Sequence, residues 1–358
     1  MMRIMIGWGA ISACMMLVSS PLAFYVVRFL LGAFEAGFLP GIILYLTYWY
    51  PGSRRARIIA IFMSAVAVAG LIGGPLSGWV MSSMAGVYGL KGWQWMFCIE
   101  GLPTLLLGLA VPAILVDRPN DAKWLTTREK KIIEQSVSAE QLPASDRHGH
   151  TFGKALKDPV VYVLGFIYFT IICGIYAIGF WLPIIIKGTG VANVFSIGLY
   201  SMIPYGLGAA GMISIGRHSD IRMERRRHLA FCCVLGALGL VFLAAATRNL
   251  SLSLAAISLA TITLFAAMLV FWAIPTAYLS GSAAAGGIAL INSIVLIGGF
   301  VSPTLMGWAK STSGSFMSGL YLMAVLLVSG AIAVLAGTSK AMLHEVPADT
   351  LLQSSAKN

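Results

Sequence analysis

The chain has 358 residues, of which 58% are hydrophobic and only 10% are charged. Soluble globular chains carry about 25% charged residues, so the composition excludes a soluble enzyme or binding module. The formal charge of +11 would suit nucleic acid or anionic lipid, but the basic residues are placed as membrane topology requires, which argues against a nucleic-acid partner.

About 20 apolar residues, each rising about 1.5 Å along a helix, are enough to cross the hydrocarbon core of a bilayer. Runs of this kind predict ten transmembrane helices, at residues 3–20, 22–47, 58–82, 93–116, 159–186, 193–216, 229–247, 250–279, 283–308 and 316–339. The predicted fold is an all-α transmembrane bundle. In the first run a single Arg3 precedes the apolar stretch as in a signal peptide, but the length of the run and the lack of an A-x-A cleavage site predict a retained helix.

The second run carries Arg28, the only basic residue within a span, and Glu35, one of only two acidic residues within spans. Charges at membrane depth are costly and are functional candidates for that reason. A separation of seven residues puts both on one helix face, about 10 Å apart along the axis. Gly32 and Ala36 keep that face narrow enough for a helix or a ligand to approach. Arg28 can hold a carboxylate through a bidentate fork, and a desolvated Glu35 can carry a proton near neutral pH. The alternative role for both is pairing with groups on other helices to hold the bundle together.

In the third run Gly70, Gly74 and Gly78 recur at four-residue spacing beside Pro75, which predicts close helix packing and a hinge. The fourth run holds Glu100, for which a structural hydrogen bond and a coupling role stand equally open. A polar stretch follows, with eight basic and seven acidic residues in 117–158 and a short surface helix expected over Thr126–Glu140. It divides the chain into a four-span bundle (1–116), a cytoplasmic linker (117–158), a six-span bundle (159–341) and a tail (342–358). The His148 and His150 pair within it stands apart from other ligands and is assigned no metal.

Beyond the linker, Tyr176, Phe180 and Trp181 form one aromatic cluster, and Phe271 with Trp272 another. Packing and ligand contact are both open roles for these rings. Asn292 is a buried amide able to bind ligand hydroxyls or a neighbouring helix. The turn GRHSDIRMERRR at 216–227 is a tight cytoplasmic loop, in which Asp220 can cap a helix and pair with arginines such as Arg222. GGPLSGW at 73–79 and GGFVSPTLMGW at 298–308 echo one another, as duplicated transporter halves do. All five cysteines fall in apolar runs, which argues against disulfide or metal frameworks. No nucleotide-binding G-x-x-x-x-G-K-[ST] occurs, and no cofactor is expected.

With the N-terminus inside, the cytoplasmic segments hold Arg54, Arg55 and Arg57, the eight basic residues of the linker and five more between Arg217 and Arg227. The outer segments hold only Lys91, Lys187, Arg248 and Lys310, so the positive-inside rule places both termini in the cytoplasm.

RFLLGAFEAGFLPGIILYLTYWYP at 28–51, GWQWMFCIEGLP at 92–103 and FWAIPTAYLSGSAAAGGIALINSIVLIGGFVSP at 271–303 resemble the anion:cation symporter family of the major facilitator superfamily, the bacterial tartrate, hydroxycarboxylate, sugar-acid and aromatic-acid permeases in particular. The resemblance implies a monomeric inner-membrane symporter, not an enzyme, that takes up a small organic anion with protons through a fold of twelve helices. It matches Arg28 and Glu35 to residues of substrate binding and proton coupling, and Asn292 to a substrate contact. Tyr176 and Trp272 join the substrate-binding candidates, and Glu100, Gly74, Pro75, Asp220 and Arg222 the gating or structural ones. Gln94 and Glu224 depart from the family pattern, where a basic residue and a glycine are commoner. Compared with the family, the chain begins at its third helix, which leaves a non-transporting relic or a ligand sensor as the alternative to a symporter.

Overall fold

A computed structural model of the chain describes residues 1–141, 156–222, 224–246, 249–279 and 281–337. Among these residues the only regular structure is helical. The helices are α1 (Met2–Cys14), α2 (Pro21–Glu35), α3 (Phe38–Trp49), α4 (Gly52–Ser83), α5 (Gly92–Ile114), α6 (Thr127–Gln141), α7 (Pro159–Gly188), α8 (Val194–Arg222), α9 (Arg225–Ala245), α10 (Leu250–Tyr278), α11 (Gly281–Ser313) and α12 (Met317–Gly337). Among the described residues seven helices are long and apolar enough to cross a membrane, namely α5 and each of α7 to α12.

Within the second expected run the helix is interrupted. The run 22–47 is not one helix but α2 and α3, of 15 and 12 residues, separated by a turn at Ala36 and Gly37. Pro40 has no N–H to donate to the carbonyl of Ala36, and proline is tolerated in the first turn of a helix but not in its interior. Gly37 lowers helix propensity further. Hydropathy is blind to both effects because it scores side chains and not backbone hydrogen bonding. Pro75, Pro183, Pro204 and Pro303, by contrast, lie inside continuous helices.

The chain divides into two compact units. The first comprises Met1–Ala69, Gly73–Asp146 and Asn193–Gly198. Its best-packed contact is between α1 and α5, and glycines make it possible. A Cβ on Gly101 would stand 2.7 Å from the backbone nitrogen of Ala13 and 3.1 Å from the carbonyl of Gly9, and one on Gly108 2.9 Å from the nitrogen of Ile6. Gly101→Ala is therefore expected to destabilise the protein by about 1–3 kcal/mol, because two backbones would have to separate. Gly32→Ala, which meets open space, is expected to be neutral or stabilising by up to about 1 kcal/mol. Unfolding of the two variants followed by tryptophan fluorescence separates these outcomes.

The glycines expected to allow close packing in α4 do so. Gly78 lies against Val194, Phe195 and Gly198, and a Cβ on Gly198 would collide with the carbonyl of Gly74. The short surface helix is also present, as α6. Thr126 and Glu129 form its capping box, with the Thr126 N–H donating to Glu129 Oε2 at 2.9 Å and the Glu129 N–H to Thr126 Oγ1 at 3.3 Å. The hydrogen bonds from the Thr126 backbone and hydroxyl hold the Glu129 carboxyl below its ordinary range. Trp124 stacks on Trp49 of α3, with centroids 5.7 Å apart.

The second unit comprises Gly70–Ile72, Arg147–Ala192 and Leu199–Asn358. Here α7 packs against α10, α11 and α12, and α9 against α10 and α12. Leu164, Ile167, Ile171, Leu182, Leu240, Leu264 and Phe271 are fully buried among these helices. Small residues again set the close approaches, Gly239 to Ala260 and Gly298 to Phe169 and Cys173. The Ser302 hydroxyl donates to the Cys173 carbonyl at 2.6 Å, so a polar side chain in the core satisfies a neighbouring backbone. All five cysteines are free thiols.

At one end of this unit Asp158 carries two duties. Its Oδ1 caps α7 by accepting from the Val160 N–H at 2.9 Å, and its Oδ2 accepts from the Tyr278 hydroxyl at 2.9 Å. Asp158→Ala is expected to cost about 1–3 kcal/mol of stability, through loss of the cap and of the Tyr278 acceptor. Asp158→Asn, which keeps a capping oxygen, is expected to cost less, and thermal unfolding of both variants checks the order.

Candidate functional site

In the first unit the candidate charges stand on α2. Arg28 is an exposed side chain near the middle of the helix, and its guanidinium carbon lies 5.3 Å from the centroid of Phe24 and 5.9 Å from that of Phe97 on α5. Both separations fall within cation–π range. Among the described residues no carboxylate pairs with Arg28, so its charge is held by ring faces and its N–H donors remain open to an anion.

Glu35 is the last residue of α2 and is exposed. Just beyond it the Ala36 N–H donates to the Gly32 carbonyl at 2.9 Å and closes the last turn of the helix. The helix break that puts Glu35 at a helix end was not legible from hydropathy.

Glu100 has a structural partner, since the Ser77 hydroxyl of α4 donates to its Oε1 at 2.5 Å. The rest of the GWQWMF segment is likewise occupied. Gly92 abuts the backbone of Met81. The Gln94 amide donates to the Met16 carbonyl at 2.7 Å and accepts from the Lys91 N–H at 2.9 Å, so the departure from a basic residue at this position supplies a neutral bracket between the start of α5 and the end of α1. The Trp95 indole donates to the Val87 carbonyl at 3.1 Å. Phe24 and Phe97 were not singled out in the sequence; the i−4 spacing of Phe24 to Arg28 was the available signal.

In the second unit the aromatic residues separate into different settings. Trp272 is half-buried, and its indole donates to the Tyr168 hydroxyl at 3.0 Å. Tyr168 also stacks on Phe271 with centroids 4.5 Å apart, so this cluster is tied into the core. Tyr176 is exposed, stacks on Phe180 at 5.8 Å and packs beside Gly299 of α11. Trp181 turns instead to Phe316, at 4.7 Å. Asn292 is half-buried on α11, seven residues before Gly299, and so shares a helix face with the position that meets Tyr176. Tyr176 and Asn292 thus belong to one side of the α7–α11 pair, while Trp272 belongs to another packing cluster.

The loop at 216–227 is a bracket of short-range contacts. Glu224 caps α9 by accepting from the Arg227 N–H at 3.2 Å, which gives its departure from glycine a purpose. The His218 and His228 rings share a hydrogen bond of 2.8 Å. Arg225 donates to the Ala273 carbonyl at 3.1 Å, and Arg226 donates to the Leu335 carbonyl. Arg222 is exposed at the end of α8. The Asp220 side chain lies outside the described residues, as do His148, His150 and the tail.

Apolar helices of membrane length packed through small residues, with very few charges among them, define a polytopic helical membrane protein. The sequence pattern of the Major Facilitator Superfamily matches residues 1–303, and the chain belongs to this superfamily, which is one of transporters and not of enzymes. It is 44% identical, over 93% of its length and 76% of the relative's, to a protein of Agrobacterium vitis named for tartrate transport. It is 40% identical to the metabolite transport protein NicT of Pseudomonas putida, over 94% of its own length and 77% of that of NicT. Among solved structures, the D-xylose-proton symporter superimposes with a TM-score of 0.71 at 16% identity, covering 96% of this chain and 81% of the other. At that identity the likeness establishes the fold.

Proposed function

We propose that the protein is a secondary active symporter that carries a small organic carboxylate with protons across the bacterial inner membrane. The class of cargo is a tartrate-like hydroxycarboxylate, a sugar acid or an aromatic acid. The observation that carries the reading is the placement of Arg28 and Glu35 on one face of α2. Arg28 offers a guanidinium fork that no carboxylate among the described residues engages, and Glu35 is an exposed carboxyl at the end of the same helix. One binds the anion and the other carries the proton that compensates its charge.

A relative named for tartrate transport supports the carboxylate, and a fold shared with a proton symporter is compatible with the coupling. Asn292 and Tyr176 are proposed to add contacts from α11 and α7 to the hydroxyl and carbon skeleton of the substrate. Trp272, whose N–H is engaged with Tyr168, is proposed to contact the substrate through its ring face. Gly74 and Pro75 are assigned to helix movement, and Glu100, Asp220 and Arg222 to structural or gating contacts. The protein is taken to act as a monomer with both termini in the cytoplasm.

The test is uptake of labelled L-tartrate, D-galactonate and 4-hydroxyphenylacetate into proteoliposomes under an imposed pH gradient. Accumulation of at least one anion, abolished by a protonophore, is the expected result. Ligand-dependent tryptophan quenching without accumulation of any of them would favour a ligand sensor.

A further inference from the structure

We infer that Phe97 is a positioning residue for Arg28, holding its guanidinium as an open, correctly aimed anion receptor; the inference rests on the reading of Arg28 as the anion anchor. A free arginine side chain has several rotatable bonds and loses considerable entropy when fixed. Most fixed arginines are held by a carboxylate, which would also neutralise the charge that an anionic substrate needs. The rings of Phe24 and Phe97 lie 5.3 and 5.9 Å from the guanidinium carbon. They attract the cation through their π faces and take up none of its five N–H donors.

The two rings differ in origin. Phe24 lies one helical turn from Arg28 on α2 and moves with it. Phe97 comes from α5 and fixes Arg28 relative to a second helix. It also makes an edge contact with Trp93 one turn earlier on α5, with centroids 6.3 Å apart. The start of α5 is in turn anchored by Gln94 to the Met16 carbonyl and by Trp95 to the Val87 carbonyl. The GWQWMF segment therefore has a joint purpose: its polar and small residues fix α5, and Phe97 transmits that fixity to Arg28.

The experiment uses the full chain in detergent and measures phenylglyoxal modification of Arg28 by mass spectrometry, with exposed Arg222 as the internal reference. Phe97→Leu is expected to speed Arg28 modification relative to Arg222 by about two- to fivefold, the range that loss of one exposed cation–π contact gives. Phe97→Trp, which keeps a π face, is expected to restore the parent ratio. A parent-like ratio in Phe97→Leu would overturn the inference. Equal acceleration of both arginines, or failure of Phe97→Trp to restore the ratio, would also overturn it, because packing of α5 and not the ring face would then govern Arg28.

In proteoliposomes the same Phe97→Leu change is expected to raise the KM for L-tartrate by a similar factor with kcat unchanged, and an unchanged KM would overturn the substrate-aiming role. Arg28→Lys serves as the separate control. If the reactivity ratios behave as expected but Arg28→Lys leaves tartrate binding and uptake unaltered, Phe97 still positions Arg28 and the anion-anchor reading is what fails.

Discussion

Arg28→Ala is expected to raise the KM for the transported carboxylate by about 100-fold or more. Each charge-assisted hydrogen bond of a guanidinium fork contributes about 1.5–3 kcal/mol, and about 1.4 kcal/mol corresponds to a factor of ten. Losing two such bonds, together with the only cation expected within a span, exceeds what neighbouring polar groups can replace. Arg28→Lys keeps the charge but gives up the planar fork, so an intermediate loss of about tenfold is expected. Initial rates of labelled L-tartrate uptake against concentration measure both. A parent-like KM in Arg28→Ala would remove Arg28 from the binding site.

Glu35→Gln is expected to separate transport from the proton gradient. A glutamine keeps the size and the hydrogen-bonding capacity of a protonated glutamate, but it cannot release a proton. The carrier should then still exchange labelled for unlabelled anion across the membrane in counterflow. Net accumulation driven by a pH gradient should disappear. With one coupled proton and no membrane potential, a gradient of one pH unit supplies about 1.4 kcal/mol, enough for about tenfold accumulation by the parent; Glu35→Gln should reach only the external concentration. Unchanged acid-driven accumulation in the variant would assign the proton to another group.

Much of this architecture was legible in the sequence because a bilayer simplifies the code. Long apolar runs have few alternatives to spanning helices, and α5, α7 and α9 through α12 lie close to their expected ranges. The break between α2 and α3 was not legible, because Gly37 and Pro40 act through backbone hydrogen bonding and the expectation rested on hydropathy. The small-residue interface of α4 was anticipated from its four-residue glycine spacing. The tighter one between α1 and α5 was missed, because Gly101 and Gly108 are seven residues apart and meet Gly9 and Ile6 on a different helix.

The candidate site was legible in its charges and not in its supports. Arg28 and Glu35 stand out in any apolar segment because ionisable groups are costly there. Phe97 does not stand out, since one more aromatic residue in such a chain carries no local signal, and its meaning depends on where α5 lies beside α2. Glu100 stood open between a structural hydrogen bond and a coupling role, and Trp272 between packing and ligand contact; the structure adds the partners Ser77 and Tyr168, which the sequence does not reveal.

The most direct test of proton-coupled carboxylate transport is the internal pH of proteoliposomes when L-tartrate is added outside, with no pH gradient or potential imposed. The account predicts that the lumen acidifies as labelled tartrate enters, with both signals lost in Arg28→Ala, and with the acidification lost in Glu35→Gln although that variant still exchanges labelled for unlabelled tartrate in a separate counterflow assay. Entry of tartrate at constant internal pH would contradict it.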